Sequence, residues 1–429
     1  MGGMLEVIKN AWRIKDLRKK LIFTIALLLI YRIGVHLPVP GLDPREFARL
    51  AATGGLFGFL NIVSGGAFQY ATIFAMSITP YINSSIIMNL LTVAIPSLER
   101  LAKEGEEGRK KIAQYTRYGT VILGFLQATG LYFGMKNAII GGGSVWSYIT
   151  VTLTFTAGTA FLMWLGEQIT ENGIGNGISL IIFAGIVSRG PALAAAFYQY
   201  YITGLLGPGI LGIFVGLLIV AIFVFVVAAV IWVQEAERRI PIQYAKRVVG
   251  RKMYGGQSTH LPIKVNMAGV IPIIFAMSIM SLPSTIITFV APNSTSPVVL
   301  WFKNAQGSIG YALIQAALII FFTFFYTVIQ FNPVEVANQM KKNGGFIPGI
   351  RPGKPTSDYI SKVLNRVTWF GGFFLAAVTI LPSILEMATK ISGLWFSGTA
   401  MLILVGVALD TIKEMESQML MRHYKGFLE

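Results

Sequence analysis

Residues able to make or break bonds are few and scattered in this chain. Histidine occurs only as His36, His260 and His423, too far apart in sequence to suggest a shared metal. Cysteine is absent, which removes thiolate nucleophiles, disulfides and Cys-ligated metals. The glycine-rich stretch GIGNGIS at 173–179 follows no strand-like run and lacks the lysine of a phosphate loop. No nucleophile–base pair stands out. The expectation is a non-enzyme with no cofactor and no metal. Ion-coupled transporters keep ionisable groups inside their membrane spans, and here the spans are nearly free of them, with Arg32, Glu167, Glu386 and Asp410 near span ends. There they are expected to be interfacial or snorkelling.

The elements that hold these residues are membrane spans. Of 429 residues, 54% are hydrophobic and 13% charged, against roughly 25% charged in soluble proteins. Mean hydropathy is +0.65. A soluble fold of this length could not cover its surface with so few charges. The 46 glycines agree, since Gly is well tolerated in spanning helices. About 20 mostly apolar residues cross the hydrocarbon core, and ten stretches qualify: 20–37, 68–95, 116–135, 149–167, 177–199, 208–233, 267–290, 307–330, 367–386 and 394–411. The polar turn GEQITENGIGNGIS separates the fourth and fifth, and Pro191 interrupts the fifth. The first apolar run, 21–30, leads into Tyr31-Arg32 and Pro-rich sequence without a small-residue cleavage site. It reads as a span instead of a cleavable signal.

The net charge of +16 is unevenly placed. Alternate connections carry 28 Lys and Arg on one face and six on the other, with Arg32 inside the first span. Cations flanking spans stay cytoplasmic, so both termini are expected in the cytoplasm. Two cytoplasmic connections are long, 234–266 and 331–366. The first outer connection, 38–67, holds an apolar stretch at 56–63 too short to span, flanked by Gly54-Gly55 and Gly65-Gly66. Such a half-helix is either re-entrant or an interfacial anchor. The second span contains Pro80, Asn83, Ser84, Ser85 and Asn89, read either as helix–helix hydrogen bonding or as a wall that meets water or a partner.

The strings RIGVHLPVPG, NIVSGGAF, TPYINSSIIMNLLT, EGEEGRKKIAQYTRYGT, FLMWLGEQITENGIGNGISLIIFAGI, YAKR, QSTHLPIKVNMAGVIPIIFA and FFYTVIQFNPVEVANQMKKNGGFIPGIRPG run nearly end to end. Together they make the chain resemble the SecY family, the central channel subunits of the bacterial Sec protein translocase. Residues 134–148 and 291–306 carry little of the match.

The resemblance implies an all-α polytopic membrane protein with ten transmembrane helices in two inverted pseudo-repeat halves. These would be 1–200, with helices 1–5 and a short re-entrant plug helix at about 55–67, and 205–429, with helices 6–10 and both long loops. It implies a pore ring of Ile78, Ile82, Ile178, Ile182, Ile274 and Ile403, the first two pairs spaced to share a helix face. Leu56, Phe57, Phe59, Leu60, Ile62 and Val63 would form the apolar surface of the plug. Asn83 and Asn89 on the second helix would face Leu282 and Pro283 on the seventh across a lateral gate. Alternation in IPIQYAKRV and KMYGGQSTHLPIKV suggests a hairpin, tipped by Lys246, Arg247, Arg251 and Lys252. Pro-Gly pairs on both sides project Arg351 from the second loop.

These cations are expected to meet the SecA ATPase or ribosomal RNA phosphates of the ribosome. SecE-like and SecG-like small membrane subunits, signal peptides, nascent polypeptides and lipid complete the expected partners. The implied function is a protein-conducting channel in the bacterial plasma (inner) membrane. It would pass unfolded secretory chains across and release transmembrane segments sideways. The alternative, from another class, is a secondary transporter of a small solute.

Overall fold

The computed structural model describes residues 4–52, 57, 60–61, 64–135, 138–140, 143–203, 210–244, 247–249, 252–254, 258–290, 296, 308–389 and 398–425. It is mostly helical. Before the first long loop run α1 (Met4–Arg13), α2 (Lys15–Gly34), α3 (Pro44–Ala52), α4 (Thr79–Ala94), α5 (Pro96–Lys103), α6 (Glu106–Gly134), α7 (Val145–Asn172), α8 (Gly177–Val187), α9 (Gly190–Ile202) and α10 (Ile210–Glu235). Strands β1 (Glu237–Tyr244), β2 (Arg247–Val249), β3 (Lys252–Tyr254) and β4 (Ser258–Lys264) follow. After them come α11 (Ile271–Val290), α12 (Ile309–Gln330), α13 (Pro333–Lys342), β5 (Gly345–Phe346), α14 (Lys354–Thr389) and α15 (Gly398–Lys425).

Each of the ten stretches read from the sequence falls on one or more of these helices. Among the described residues, five helical segments are long and apolar enough by themselves to cross a membrane: Val145–Asn172, Gly177–Ile202, Gly212–Glu235, Ile309–Lys342 and Lys354–Pro382. The pair α4 and α5, bent by 101°, makes a sixth if counted as one span. α2 has the length but carries Lys15, Asp16, Arg18, Lys19, Lys20 and Arg32 toward its ends.

Two compact units make up the chain: Met1–Pro208 with Met277–Tyr311 and Val407–Glu429, and Gly209–Ala276 with Ala312–Gly406. In the first, α4 packs on α6 and α6 on α7. Their core gathers Phe47, Phe68, Met76, Leu131, Tyr132 and Phe155. Ser84 donates to the Thr116 carbonyl across the α4–α6 seam (2.8 Å). Gly119 leaves room for it, since a Cβ there would collide with the Ser84 hydroxyl. On the exposed first turns of α6, Lys110 pairs with Glu106 (3.0 Å). That hydrogen bond holds the Glu106 carboxyl below its ordinary value.

One expected span needs correction. Residues 68–78 are turns, and helix begins only at Thr79. Ala71 (φ 50°) and Ser77 (φ 53°) take left-handed backbone, which breaks any helix of L-residues. The segment is sewn to its neighbours: Val39 N–H donates to the Ala71 carbonyl (2.8 Å) and Ile73 N–H to that of Leu37 (3.0 Å). A Cβ at Gly158 on α7 would collide with the Ile73 carbonyl, and one at Gly34 with the Phe74 ring. Small residues thus let irregular backbone lie flush against two helices. The fifth span breaks at Ser188-Arg189. Pro191 sits in the first turn of α9, where its missing N–H costs nothing.

In the second unit the loop after α10 is the expected hairpin. β1 pairs antiparallel with β4 from Glu237↔Lys264 to Gln243↔Ser258. β2 and β3 continue it, with Val249 opposite Lys252. The second long loop adds β5 on the other edge of β1, giving the order β4-β1-β5. Ile240, Ile242 and Ile263 from this sheet pack with Met340, Ile347, Ile360 and Leu364. The alternating residues of β1 therefore have a helical layer to bury against.

Forcing a methyl into the α7 groove overpacks a rigid site, which costs about 1–3 kcal/mol. Gly158→Ala is expected to lower the thermal unfolding midpoint in detergent. Gly190→Ala, where a Cβ meets nothing within 4 Å among the described residues, is expected to leave it unchanged or raise it slightly.

Candidate functional site

The site elements in the first unit are the starts of α4 and α8 and the segment that precedes α4. Ile78 is the N-cap residue of α4 and is fully buried, and Ile82 lies one turn on, also buried. Ile178 is half-buried and Ile182 buried at the start of α8. In the second unit Ile274 is half-buried near the start of α11, and Ile403 is buried on α15.

The start of α8 is held by a tight loop at 173–177. Ile174 is buried among Val7, Ala11, Leu17 and Met415, so the amphipathic α1 packs over the loop. The Ile174 N–H donates to Thr24 Oγ1 (3.2 Å), and Thr24 in turn donates to the Lys20 carbonyl (2.9 Å). Gly175 takes φ 79°. Asn176 caps α8, accepting from Ser179 N–H (3.0 Å). A Cβ at Gly177 would collide with the Gly166 carbonyl, and one at Gly166 with Ile178. The glycine-rich stretch is therefore a packing device that fixes where Ile178 and Ile182 stand.

Of the expected plug, Phe57, Leu60, Asn61 and the residues from Ser64 onward are described. Leu56, Phe59, Ile62 and Val63 lie outside the described residues. Phe57 stacks on Phe68, ring centroids 5.5 Å apart, and Leu60 is buried in the same cluster. Asn61 and Gln69 clamp each other: Asn61 Nδ2 donates to Gln69 Oε1, and Gln69 N–H donates to Asn61 Oδ1, both at 3.2 Å. Tyr31 O–H donates to the Ser64 carbonyl (3.2 Å). Arg32 Nη1 donates to the Gly65 carbonyl (3.2 Å) and to Ser188 Oγ (3.1 Å). Arg32 is thus not a snorkelling cation but a bridge between three segments. Sequence reasoning had no signal for this beyond an arginine at a span end.

Glu167 also differs from expectation. It pairs with Arg117 across α6 and α7 (2.7 Å). Asn83 is buried, and its Oδ1 has no hydrogen-bond partner among the described residues. Asn89 is half-buried, as is Pro283 inside α11, while the Leu282 side chain is outside the described set. Of the hairpin cations, Arg247 and Lys252 lie on β2 and β3; Lys246 and Arg251 fall outside the described residues. Arg351 is exposed between Gly349 (φ 81°) and Gly353 (φ 101°). Thr356 Oγ1 donates to its carbonyl (2.8 Å) and fixes the turn. Among the described residues no group of three or more His, Asp or Glu could hold a metal.

A family model described as SecY matches residues 72–412. The protein translocase subunit SecY of Halalkalibacterium halodurans is 49% identical over 434 residues, covering 99% of this chain and 100% of that protein. Those of Thermotoga maritima and Bacillus subtilis are 44% and 45% identical, again over 99% of this chain and 98% and 100% of theirs. A solved protein-conducting channel superposes with a TM-score of 0.63 at 19% identity, over 93% of this chain and 91% of that one. A SecY structure described by its plug domain, which stabilizes the closed state and maintains a membrane seal, gives 0.64 over the same shares, also at 19% identity. These two likenesses show the fold.

Thr24→Val keeps the shape of the α2 side chain but orphans the buried Ile174 N–H. Such a loss costs about 1–3 kcal/mol. The thermal midpoint is expected to fall, with Thr24→Ser restoring it. An unchanged midpoint for Thr24→Val would show that the loop does not depend on that bond.

Proposed function

This chain belongs to the SecY family, and we propose that it is a protein-conducting channel of the bacterial plasma membrane, with both termini cytoplasmic. It passes unfolded secretory chains across and releases apolar segments sideways into lipid. The observation that supports this most strongly is 49% identity to a translocase subunit along the full length of both proteins.

The physical reading follows from what the spans contain. Ile78, Ile82, Ile178, Ile182, Ile274 and Ile403 form the constriction of an hourglass pore. Apolar side chains meeting in a pore make a gasket that water and ions enter reluctantly and that a passing polypeptide can push aside. Residues around 55–67 act as the plug on its outer side. The gate to lipid lies between Asn83 and Asn89 on α4 and Leu282 and Pro283 on α11. A buried Asn83 Oδ1 without a partner among the described residues supports this placement, because an unsatisfied acceptor weakens a closed interface. The two halves, 1–200 and 205–429, hinge around this pore.

The driving force comes from outside the chain, from the SecA motor or from a translating ribosome. SecE-like and SecG-like subunits complete the channel. Arg351, exposed on a turn fixed from both sides, is the contact to the motor. Its planar fork suits a carboxylate or phosphate.

Proteoliposomes test this reading directly. Translocation of a secretory precursor is expected to require both this protein and SecA; transport without either defeats the proposal. Arg351→Glu is expected to insert and assemble normally yet lose SecA-driven translocation by about tenfold or more, the loss expected when a charge-assisted contact is reversed. Normal SecA-driven rates for Arg351→Glu remove Arg351 from the motor contact.

A further inference from the structure

Seating a plug by apolar contact alone gives it no preferred depth or orientation, because such contact is non-directional. The end of the plug segment supplies direction. Arg32, half-buried at the outer end of α2, donates through one nitrogen to the Gly65 carbonyl (3.2 Å) and to the Ser188 hydroxyl (3.1 Å). Ser188 donates onward to the Gly185 carbonyl (2.8 Å). Beside it, Tyr31 holds the Ser64 carbonyl. Gly65 takes φ 64°, and a Cβ there would come 2.6 Å from the Gly185 Cα. The backbone at the end of the plug is therefore in direct contact with the last turn of α8. That helix opens with Ile178 and Ile182.

We propose that Arg32 is a positioning residue of the seal: its guanidinium latches Gly65, where the chain leaves the plug, to Ser188 at the end of the helix that carries two ring isoleucines. The inference rests on the plug reading above. A charged donor makes a stronger hydrogen bond than a neutral one, so this single side chain sets much of the cost of unseating the plug. Because Ile182 lies in α8 and Ser188 caps its C-terminal end, a chain that pushes this helix aside strains the latch as it widens the ring.

Resting ion flux through proteoliposomes, with no precursor or motor present, reads the latch. Wild type, Arg32→Ala, Arg32→Lys, Ser188→Ala, a deletion of 57–63, and the deletion combined with Arg32→Ala are compared at equal reconstitution. Arg32→Ala is expected to raise resting flux about tenfold or more, as loss of a charge-assisted hydrogen bond implies. Arg32→Lys, which keeps a charged donor, restores most of the seal, and Ser188→Ala gives a smaller rise. In the deletion background Arg32→Ala adds nothing, because no plug remains to be held. A general packing defect would add to the deletion and would not be rescued by lysine.

If the deletion leaks while Arg32→Ala and Ser188→Ala both stay tight, the latch is overturned and the plug stands. An equal increment from Arg32→Ala with and without the plug also overturns it. If the deletion itself does not leak, the plug reading fails first. Should Arg32→Ala not assemble, Ser188→Ala and Arg32→Lys decide alone: wild-type flux in Ser188→Ala with elevated flux in Arg32→Lys overturns the proposal.

Discussion

Backbone that is not helical has nowhere to place its N–H and C=O groups in hydrocarbon except on the protein itself. The segment between α2 and α4 lives under that constraint. Residues 64–78 run through turns with Ala71 and Ser77 at positive φ, between two helices that belong to the membrane. Their polar groups are met by the Leu37 carbonyl and the Val39 N–H, by the Ser64 hydroxyl, and by Tyr31 and Arg32. Threonine joins in: Thr159 Oγ1 donates to the Ser77 carbonyl (3.4 Å). The resting channel of this SecY-family member depends on that stitching, because it decides where the residues before and after the proposed plug can stand.

Glycine is what allows the stitches to be short. On composition alone, 46 glycines say only that the helices can be closely packed. In the structure individual glycines have individual tasks. Gly158 receives the Ile73 carbonyl, Gly34 the Phe74 ring, and Gly166 and Gly177 let the end of α7 lie against the start of α8. Gly65 and Gly185 bring two backbones together. Each is a place where a methyl group would push apart elements that hold an isoleucine of the proposed ring or a carbonyl of the proposed latch.

Much of this was legible in the sequence, and the reasons for the remainder are specific. Apolar length placed helices at all ten expected stretches, and strand alternation in 240–265 found the hairpin, whose β1 buries alternate residues on α13 and α14. The run 68–78 reads as helix because FQYATIFAMSI is mostly apolar, and hydropathy does not register left-handed backbone at Ala71 and Ser77. Glu167 was misread because its partner Arg117 is 50 residues away on another helix. Arg32 was undervalued for the same reason: its acceptors are a backbone carbonyl and a serine 156 residues distant. Pattern reading sees residue types and spacing along one element, and these roles exist only between elements.

The central claim is that the resting seal is set where Gly65 meets the end of α8, by the Arg32 latch on its carbonyl and by close backbone contact. The most direct measurement is resting potassium flux from proteoliposomes containing Gly65→Ala, with thermal unfolding in detergent measured on the same preparation. A Cβ at Gly65 meets the Gly185 backbone and disfavours φ 64°, displacing the carbonyl that Arg32 holds. The account predicts a clear rise in flux together with a lower unfolding midpoint, as for a methyl forced against backbone elsewhere in the fold. Gly65→Ala vesicles as tight as wild type would contradict it.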